Sequence, residues 1–210
     1  MTKSKNRSWI QRHVKDPYVK QSQVDGFRSR ASYKLLEIVE KDRLIRSGMT
    51  VVDLGSSPGG WSQVASSLVG PSGSVVALDI LPMDPLSGVE FIQGDFTEDP
   101  TWGRLQQLVK NKSVDLVISD MAPNLSGSQE IDQPAMMHLA EMSFDLALKS
   151  LDAKGVFISK LFHGQGFDRF VLEVRKLFNK VSIVKPKASR PKSKEVYIVA
   201  SGPKLTKEDE

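Results

Sequence analysis

From Met49 to Ala200 the chain alternates short runs of Val, Ile and Leu with segments whose apolar residues recur at helical spacing. Strands buried on both faces read as unbroken apolar runs, and parallel strands need long crossovers, usually helical, between them. That alternation confines the fold to an open α/β sheet with helices on both faces. The apolar runs predict strands at Thr50–Leu54, Ser74–Asp79, Val89–Gln93, Val114–Ser119, Gly155–Leu161, Lys180–Val184 and Val196–Ala200. Helices are expected over Ser32–Ile45, Trp61–Val69, Thr101–Lys110, Ala135–Leu151 and Phe167–Phe178. Asp120–Pro134, with Pro123, Gly127 and Pro134, reads as a loop. Only Lys185–Glu195 (KPKASRPKSKE) joins the last two strands, too short and irregular for a crossover, so this pair should be antiparallel. The expected architecture is a mostly parallel seven-stranded sheet with an antiparallel last strand. It forms one domain over residues 31–202, after a basic N-terminal arm over 1–30 and before a C-terminal tail over 203–210.

A chain of 210 residues is the size of one such domain. It has no cysteine, which excludes disulfides, thiolate metal sites and a cysteine nucleophile. His13, His138 and His163 lack metal-ligand spacing, and no metal is expected. The first residues, MTKSKNRSWIQRH, carry no apolar region or small-residue cleavage site, and no apolar run is long enough to span a bilayer. The expected location is the cytoplasm. Charge is unevenly spread. Residues 1–46 carry +7, residues 47–168 carry −9, residues 169–204 carry +8 and the last six −2, which gives the formal net charge of +4. Two basic ends around an acidic middle suit a polyanionic partner such as nucleic acid.

Val51–Gln63 (VVDLGSSPGGWSQ) is a strand, a glycine-rich turn and a helix start. Ligands of open α/β sheets bind beyond the carboxyl ends of the strands, where strand order switches. Gly55, Gly59 and Gly60 allow close backbone approach there. The turn is neither G-x-G-x-x-G nor a loop ending in G-K-[ST], so a Walker-type phosphate cradle is excluded and a dinucleotide disfavoured. Asp79 ends the second strand and can take both hydroxyls of a ribose. Asp95 follows the third strand, placed for an exocyclic amine. One nucleoside without a pyrophosphate fits these elements, and S-adenosylmethionine is the expected cofactor. Trp61 suits either the core or a backbone contact with that cofactor.

The fourth strand ends in Ser119–Asn124 (SDMAPN). No aromatic follows to stack on a flipped base, which argues against base N-methylation. The absence of cysteine argues against covalent C5 methylation of pyrimidines. Methylation of a hydroxyl remains. At this point the chain resembles the FtsJ/RrmJ/RlmE family of ribosomal RNA 2′-O-ribose methyltransferases, with a Rossmann-like S-adenosylmethionine-dependent fold. The resemblance rests on Arg28–Ile38 (RSRASYKLLEI), VVDLGSSPGGWSQ, Leu78–Pro85 (LDILPMDP), Gln93–Phe96 (QGDF), Ser119–Gly127 (SDMAPNLSG), Gly155–Phe167 (GVFISKLFHGQGF) and Ser189–Ala200 (SRPKSKEVYIVA). These motifs stand in order, and the resemblance covers roughly residues 8–202.

The resemblance implies a catalytic tetrad of Lys34, Asp120, Lys160 and Glu195, and cofactor contacts from Gly59, Trp61, Asp79, Asp95 and Asp120. Lys160, if neutral, can accept the hydroxyl proton. Lys34 would orient the ribose or neutralise the adjacent phosphate, and the two carboxylates would fix the lysine geometry. Tyr197, two residues beyond Glu195, shares its side of the strand and is a candidate for the substrate pocket. Arg28, Arg30, Lys185, Lys187, Arg190, Lys192 and Lys194 belong to the two basic segments flanking Lys34 and Glu195, and are expected to contact RNA phosphates. The implied substrate is a uridine ribose in the A loop at the peptidyl-transferase centre of large-subunit (23S) rRNA. It would be met in the assembling or assembled large ribosomal subunit by a monomeric enzyme without metal or membrane attachment.

Overall fold

The computed structural model describes residues 16–110 and 112–204. Seven strands make one sheet: β1 (Thr50–Leu54), β2 (Ser74–Asp79), β3 (Val89–Gln93), β4 (Val114–Ser119), β5 (Leu151–Phe162), β6 (Phe178–Val184) and β7 (Glu195–Pro203). Their order across the sheet is β3-β2-β1-β4-β5-β7-β6. Neighbours from β3 to β5 pair in parallel, and β7 lies antiparallel between β5 and β6. The antiparallel pairing of the last two strands agrees with the sequence, and β7 also inserts beside β5. Strand order reverses between β1 and β4, so their carboxyl ends open a crevice.

Among the described residues there are six helices: α1 (Pro17–Val24), α2 (Ser32–Glu40), α3 (Gly60–Val69), α4 (Asp99–Val109), α5 (Gln129–Ser150) and α6 (Phe167–Leu177). Alternation along the strands divides the core in two. Val51, Val75, Leu116, Ile118, Ile158 and Tyr197 pack under Leu35 and Ile38 of α2 and Trp61 and Val64 of α3. Val52, Leu54, Leu78 and Phe157 face Leu105 of α4, Phe144 of α5 and Phe170 and Val174 of α6. Both faces are covered, which is why the central strands read as continuous apolar runs.

Several expectations change. The arm assigned to 1–30 includes α1, begun by the Asp16 carboxylate, which accepts from Tyr18 N at 3.1 Å, and by Pro17 in the first turn. Val19 and Ser22 of that helix are buried, so residues from 16 onward join the folded body. Residues 1–15, and 205–210 of the expected tail, lie outside the described residues. The helix expected over Ser32–Ile45 ends at Glu40, and Arg43 takes a positive φ of 49° where the chain turns towards β1. Helix α5 starts at Gln129, within the expected loop. Pro134 is its sixth residue, in the second turn, and leaves the Glu130 carbonyl without its i+4 donor. Strand β5 starts at Leu151, four residues early, and a register shift between Val114 and Leu116 accommodates the extra length.

Candidate active site

The crevice at the switch point is a cavity of about 600 Å³, lined in part by Gly55, Ser57, Asp79, Gly94, Asp95, Phe96 and Asp120. Ile80, Leu81, Leu139 and Met142 add apolar wall. Gly55 has φ +71°, and a Cβ there would fall 2.2 Å from Met121 Cγ, so only glycine keeps this floor open. Asp79, ending β2, accepts from Ser57 N and Leu81 N, each at 2.8 Å and each on a different carboxylate oxygen. Each oxygen retains acceptor capacity for a ligand hydroxyl. Asp95 accepts from Thr97 N at 2.9 Å and Thr97 Oγ1 at 2.7 Å, both on one oxygen. Two carboxylates with spare acceptors between apolar walls suit a nucleoside, and Asp120 adds negative charge suited to a sulfonium. The donor set therefore fits S-adenosylmethionine.

Met136, Leu139 and Met142 recur at helical spacing on α5 but divide between core and crevice. Met136 is core, whereas the other two line the crevice. Gly59 and Trp61 do not line it. Gly59 has φ +107° at the start of α3, where a Cβ would collide with Leu86, Arg28 and Met83. The Trp61 ring is buried against Tyr197, with centroids 5.6 Å apart, and its Nε1 donates to Ala31 O at 2.8 Å. Its side chain serves the core, which leaves only its backbone for a cofactor.

The four tetrad residues converge at the inner end of the crevice. Lys34 comes from α2, Asp120 follows β4, Lys160 lies on β5 and Glu195 opens β7. Lys34 Nζ donates to Glu195 Oε2 at 2.9 Å and to Tyr197 Oη at 3.0 Å, and lies 2.8 Å from Glu195 Oε1 and 3.9 Å from Asp120 Oδ1. Lys160 Nζ lies 2.9 Å from Asp120 Oδ1 and donates to Asp120 O at 2.6 Å. Ser189 Oγ donates to Glu195 Oε1 at 2.7 Å. Lys34, Lys160 and Glu195 are each 9% exposed or less. Burial of charge at this level demands such pairing. Burial pushes the Asp120 carboxyl up, but Lys160, Lys34 and the Tyr197 hydroxyl outweigh it and hold it below the usual carboxylate range.

Tyr197 is corrected from substrate pocket to hub. It is fully buried, donates to Asp120 Oδ1 at 2.6 Å and accepts from Lys34. Burial, then the charges of Asp120 and Glu195, raise its pKa well above 10, so it remains a donor. Its shared side with Glu195 was readable from spacing, but its depth depends on β7 lying inside the sheet. A further buried acid, Asp53 on β1, accepts from Ser62 Oγ at 2.6 Å and is pushed up to about 7, by burial first and then by the charges of Asp120 and Asp79.

The basic residues divide. Arg28 and Arg30, expected to face phosphate, are instead engaged within the protein. Arg28 donates to Pro58 O at 3.2 Å, Asp84 O at 2.7 Å and Pro85 O at 2.7 Å, which ties two loops beside the crevice together. Arg30 pairs with Asp16 and donates to Ala188 O. Those carbonyls and the carboxylate need donors, and a guanidinium supplies several from one plane. Lys185, Lys187, Arg190, Lys192 and Lys194 are all exposed, although Lys185 donates to Ser193 O at 2.7 Å, Lys194 to Gln129 Oε1 at 3.3 Å, and Arg190 Nε lies 3.7 Å from Asp16. Among the described residues no group of three or more His, Cys, Asp or Glu could hold a metal ion, and no helix is long and apolar enough to cross a membrane.

Residues 27–203 match the FtsJ-like methyltransferase family. The ribosomal RNA large subunit methyltransferase E of Marinobacter nauticus is 58% identical over 96% of this chain and 97% of its own length. Its counterpart in Cellvibrio japonicus is 56% identical over 96% and 95%. The one in Pseudomonas aeruginosa is 53% identical over 96% and 98%. Among solved structures, a Plasmodium falciparum protein described as a ribosomal RNA methyltransferase superposes with a TM-score of 0.74 at 26% identity, covering 84% of this chain and 98% of that one.

Proposed function

The chain belongs to the FtsJ-like methyltransferase family, and from that premise we propose that it methylates the 2′-hydroxyl of a uridine ribose in large-subunit ribosomal RNA. The target is taken to be in the A loop at the peptidyl-transferase centre, in the assembling or assembled subunit, and the protein to act as a cytoplasmic monomer. One observation carries the reading. Asp120 both lines the nucleoside-sized crevice and bonds Lys160 and Tyr197, so cofactor site and tetrad share one carboxylate. The relatives named for large-subunit ribosomal RNA methylation support the substrate class.

Asp79 would hold the ribose and Asp95 the adenine of S-adenosylmethionine, which when bound would supply an electrophilic methyl group on a sulfonium. The tetrad residues then have separate tasks. Lys34 spends its donors on Glu195 and Tyr197, with Asp120 close by, which suits a fixed positive charge that positions the ribose. Lys160 is held by two contacts, both to Asp120, and so keeps capacity for a substrate hydroxyl. As a neutral amine Lys160 takes the proton from the 2′-hydroxyl at Nζ, and Asp120 stabilises the ammonium that results. With both lysines protonated the four side-chain charges cancel.

Incubation with labelled S-adenosylmethionine and unmodified large-subunit particles, followed by nucleotide mapping, tests the proposal. The expected product is one 2′-O-methyluridine in the A loop. A methyl group on a base, or none on this RNA, rejects it.

A further inference from the structure

A second cavity, of about 280 Å³, opens beside the tetrad and shares no lining residue with the cofactor crevice. Its walls include Leu125, Gln129, Gln133, Phe162, Ser193 and Lys194. Three of those walls continue the segments that deliver the tetrad. Leu125 lies five residues beyond Asp120, Phe162 two beyond Lys160, and Lys194 directly precedes Glu195. Across the β5–β7 ladder Phe162 pairs with Glu195 as Lys160 pairs with Tyr197. Side chains two apart on a strand point to the same side about 6.6 Å apart. The cavity therefore lies roughly one nucleoside's length from the amine that receives the proton.

We propose that this cavity seats the base of the nucleotide whose ribose is methylated. The inference rests on the 2′-O-methyltransferase reading above and adds to it the place where the acceptor base is held. Its volume is enough to admit a base. Leu125 is 58% exposed, yet the turn that presents it is fixed. The Asp132 carboxylate accepts from Ser126 N at 2.8 Å, Ser126 Oγ at 2.8 Å and Gly127 N at 3.0 Å. On the opposite wall the buried Gln133 donates to Phe162 O at 3.0 Å and Gln165 O at 3.1 Å. An exposed leucine beside a braced turn and a half-buried phenylalanine offer apolar surface to a base face. At the polar side Lys194 Nζ donates to Gln129 Oε1 at 3.3 Å, and both residues are exposed. An ammonium that only donates beside a carboxamide that donates and accepts complements the two carbonyls and imide N–H of uracil. The neighbouring Lys185, Lys187, Arg190 and Lys192 are exposed and of the sign needed for flanking phosphates.

The test is Leu125→Trp, which fills the cavity from an exposed loop position. Methyl transfer to unmodified large-subunit particles is followed for wild type and variant, with S-adenosylmethionine affinity measured by calorimetry on both. The expected result is a loss of tenfold or more in kcat/KM for the RNA with cofactor affinity unchanged within twofold. A variant that methylates the particles within twofold of wild type overturns the base site alone. Equal loss of cofactor affinity also overturns it, because the cavity would then not be separate from the crevice. Failure of the wild type itself to methylate the particles rejects the 2′-O reading and the base site with it.

Discussion

Asp79 and Asp95 at the crevice rim take their hydrogen bonds from Ser57, Leu81 and Thr97, backbone and side-chain donors within their own or the adjoining loop. Asp120 and Glu195 at the inner end take theirs from Lys34, Lys160, Ser189 and Tyr197, with Lys34 and Glu195 lying 161 residues apart in the chain. The rim is half-exposed and locally organised, with acceptors to spare. The inner cluster is buried and pairs nearly every charge internally. A site that must admit and release a small molecule is served by the first arrangement. Holding one amine ready beside a substrate hydroxyl requires the second, because any unpaired charge at that depth would be costly.

Four substitutions would break or sharpen this contrast. Lys160→Arg should have the largest effect, since arginine stays protonated and cannot accept a proton. Single-turnover methyl transfer with both ligands saturating should fall by roughly 10²–10⁴, while cofactor affinity holds. Near-normal turnover would remove the general-base role and leave the inner cluster purely electrostatic.

Asp53 lies on the strand between those of Asp79 and Asp120 and feels both charges. Its carboxyl is raised from 3.8 to about 7, so the folded protein holds a proton that the unfolded chain releases. That contribution to stability is present below pH 3.8 and is lost as pH rises to about 7, by at most about 4 kcal/mol. Asp53→Asn cannot ionise and should gain on wild type in thermal melts as pH rises through that window. A melting-temperature difference that does not vary with pH would show that the Asp53 carboxyl is not raised by its burial and its acidic neighbours.

Asp79→Ala should weaken S-adenosylmethionine binding at least tenfold by calorimetry, since a hydrogen bond to a charged group contributes roughly 1.5–3 kcal/mol. An unchanged affinity would deprive the rim of its assigned role. Arg28→Met should have the smallest effect. It removes three donors to loop carbonyls beside the crevice. These are partly exposed, so a loss of roughly two- to fivefold in cofactor affinity is expected. If instead RNA affinity falls and its salt dependence flattens while cofactor affinity holds, Arg28 faces phosphate after all.

The same contrast governs what could be read in advance. Strands β1 to β4 have the boundaries their apolar runs predict; in β1, β2 and β4 burial on both faces writes itself into each strand separately, whereas the edge strand β3 buries only Ile92. Asp79 and Asp95 were placed from strand ends alone. The tetrad was not readable from any local pattern: a lysine on a helix and a glutamate before a strand are ordinary surface residues until β7 brings them together. It was legible only through the ordered motifs of a family. The burial of Tyr197 and the inward use of Arg28 and Arg30 were missed because each depends on contacts far along the chain. The first turn of α5 is hidden in the sequence because Pro134 marks a loop end by local pattern, whereas the helix runs through it from Gln129.

Strand β7 emerges from synthesis after every other described element, yet it occupies an interior slot. Until it arrives, β5 and β6 have no partner between them, Lys34 has no Glu195 and Asp120 has no Tyr197. A growing chain can form the sheet from β3 to β5 and the cofactor crevice early, but long-range pairing of this kind is slow to form. The order of synthesis thus divides the site: the crevice residues and the Lys160–Asp120 pair precede β7 in the chain, whereas Lys34 gains Glu195 and Asp120 gains Tyr197 only once β7 is made.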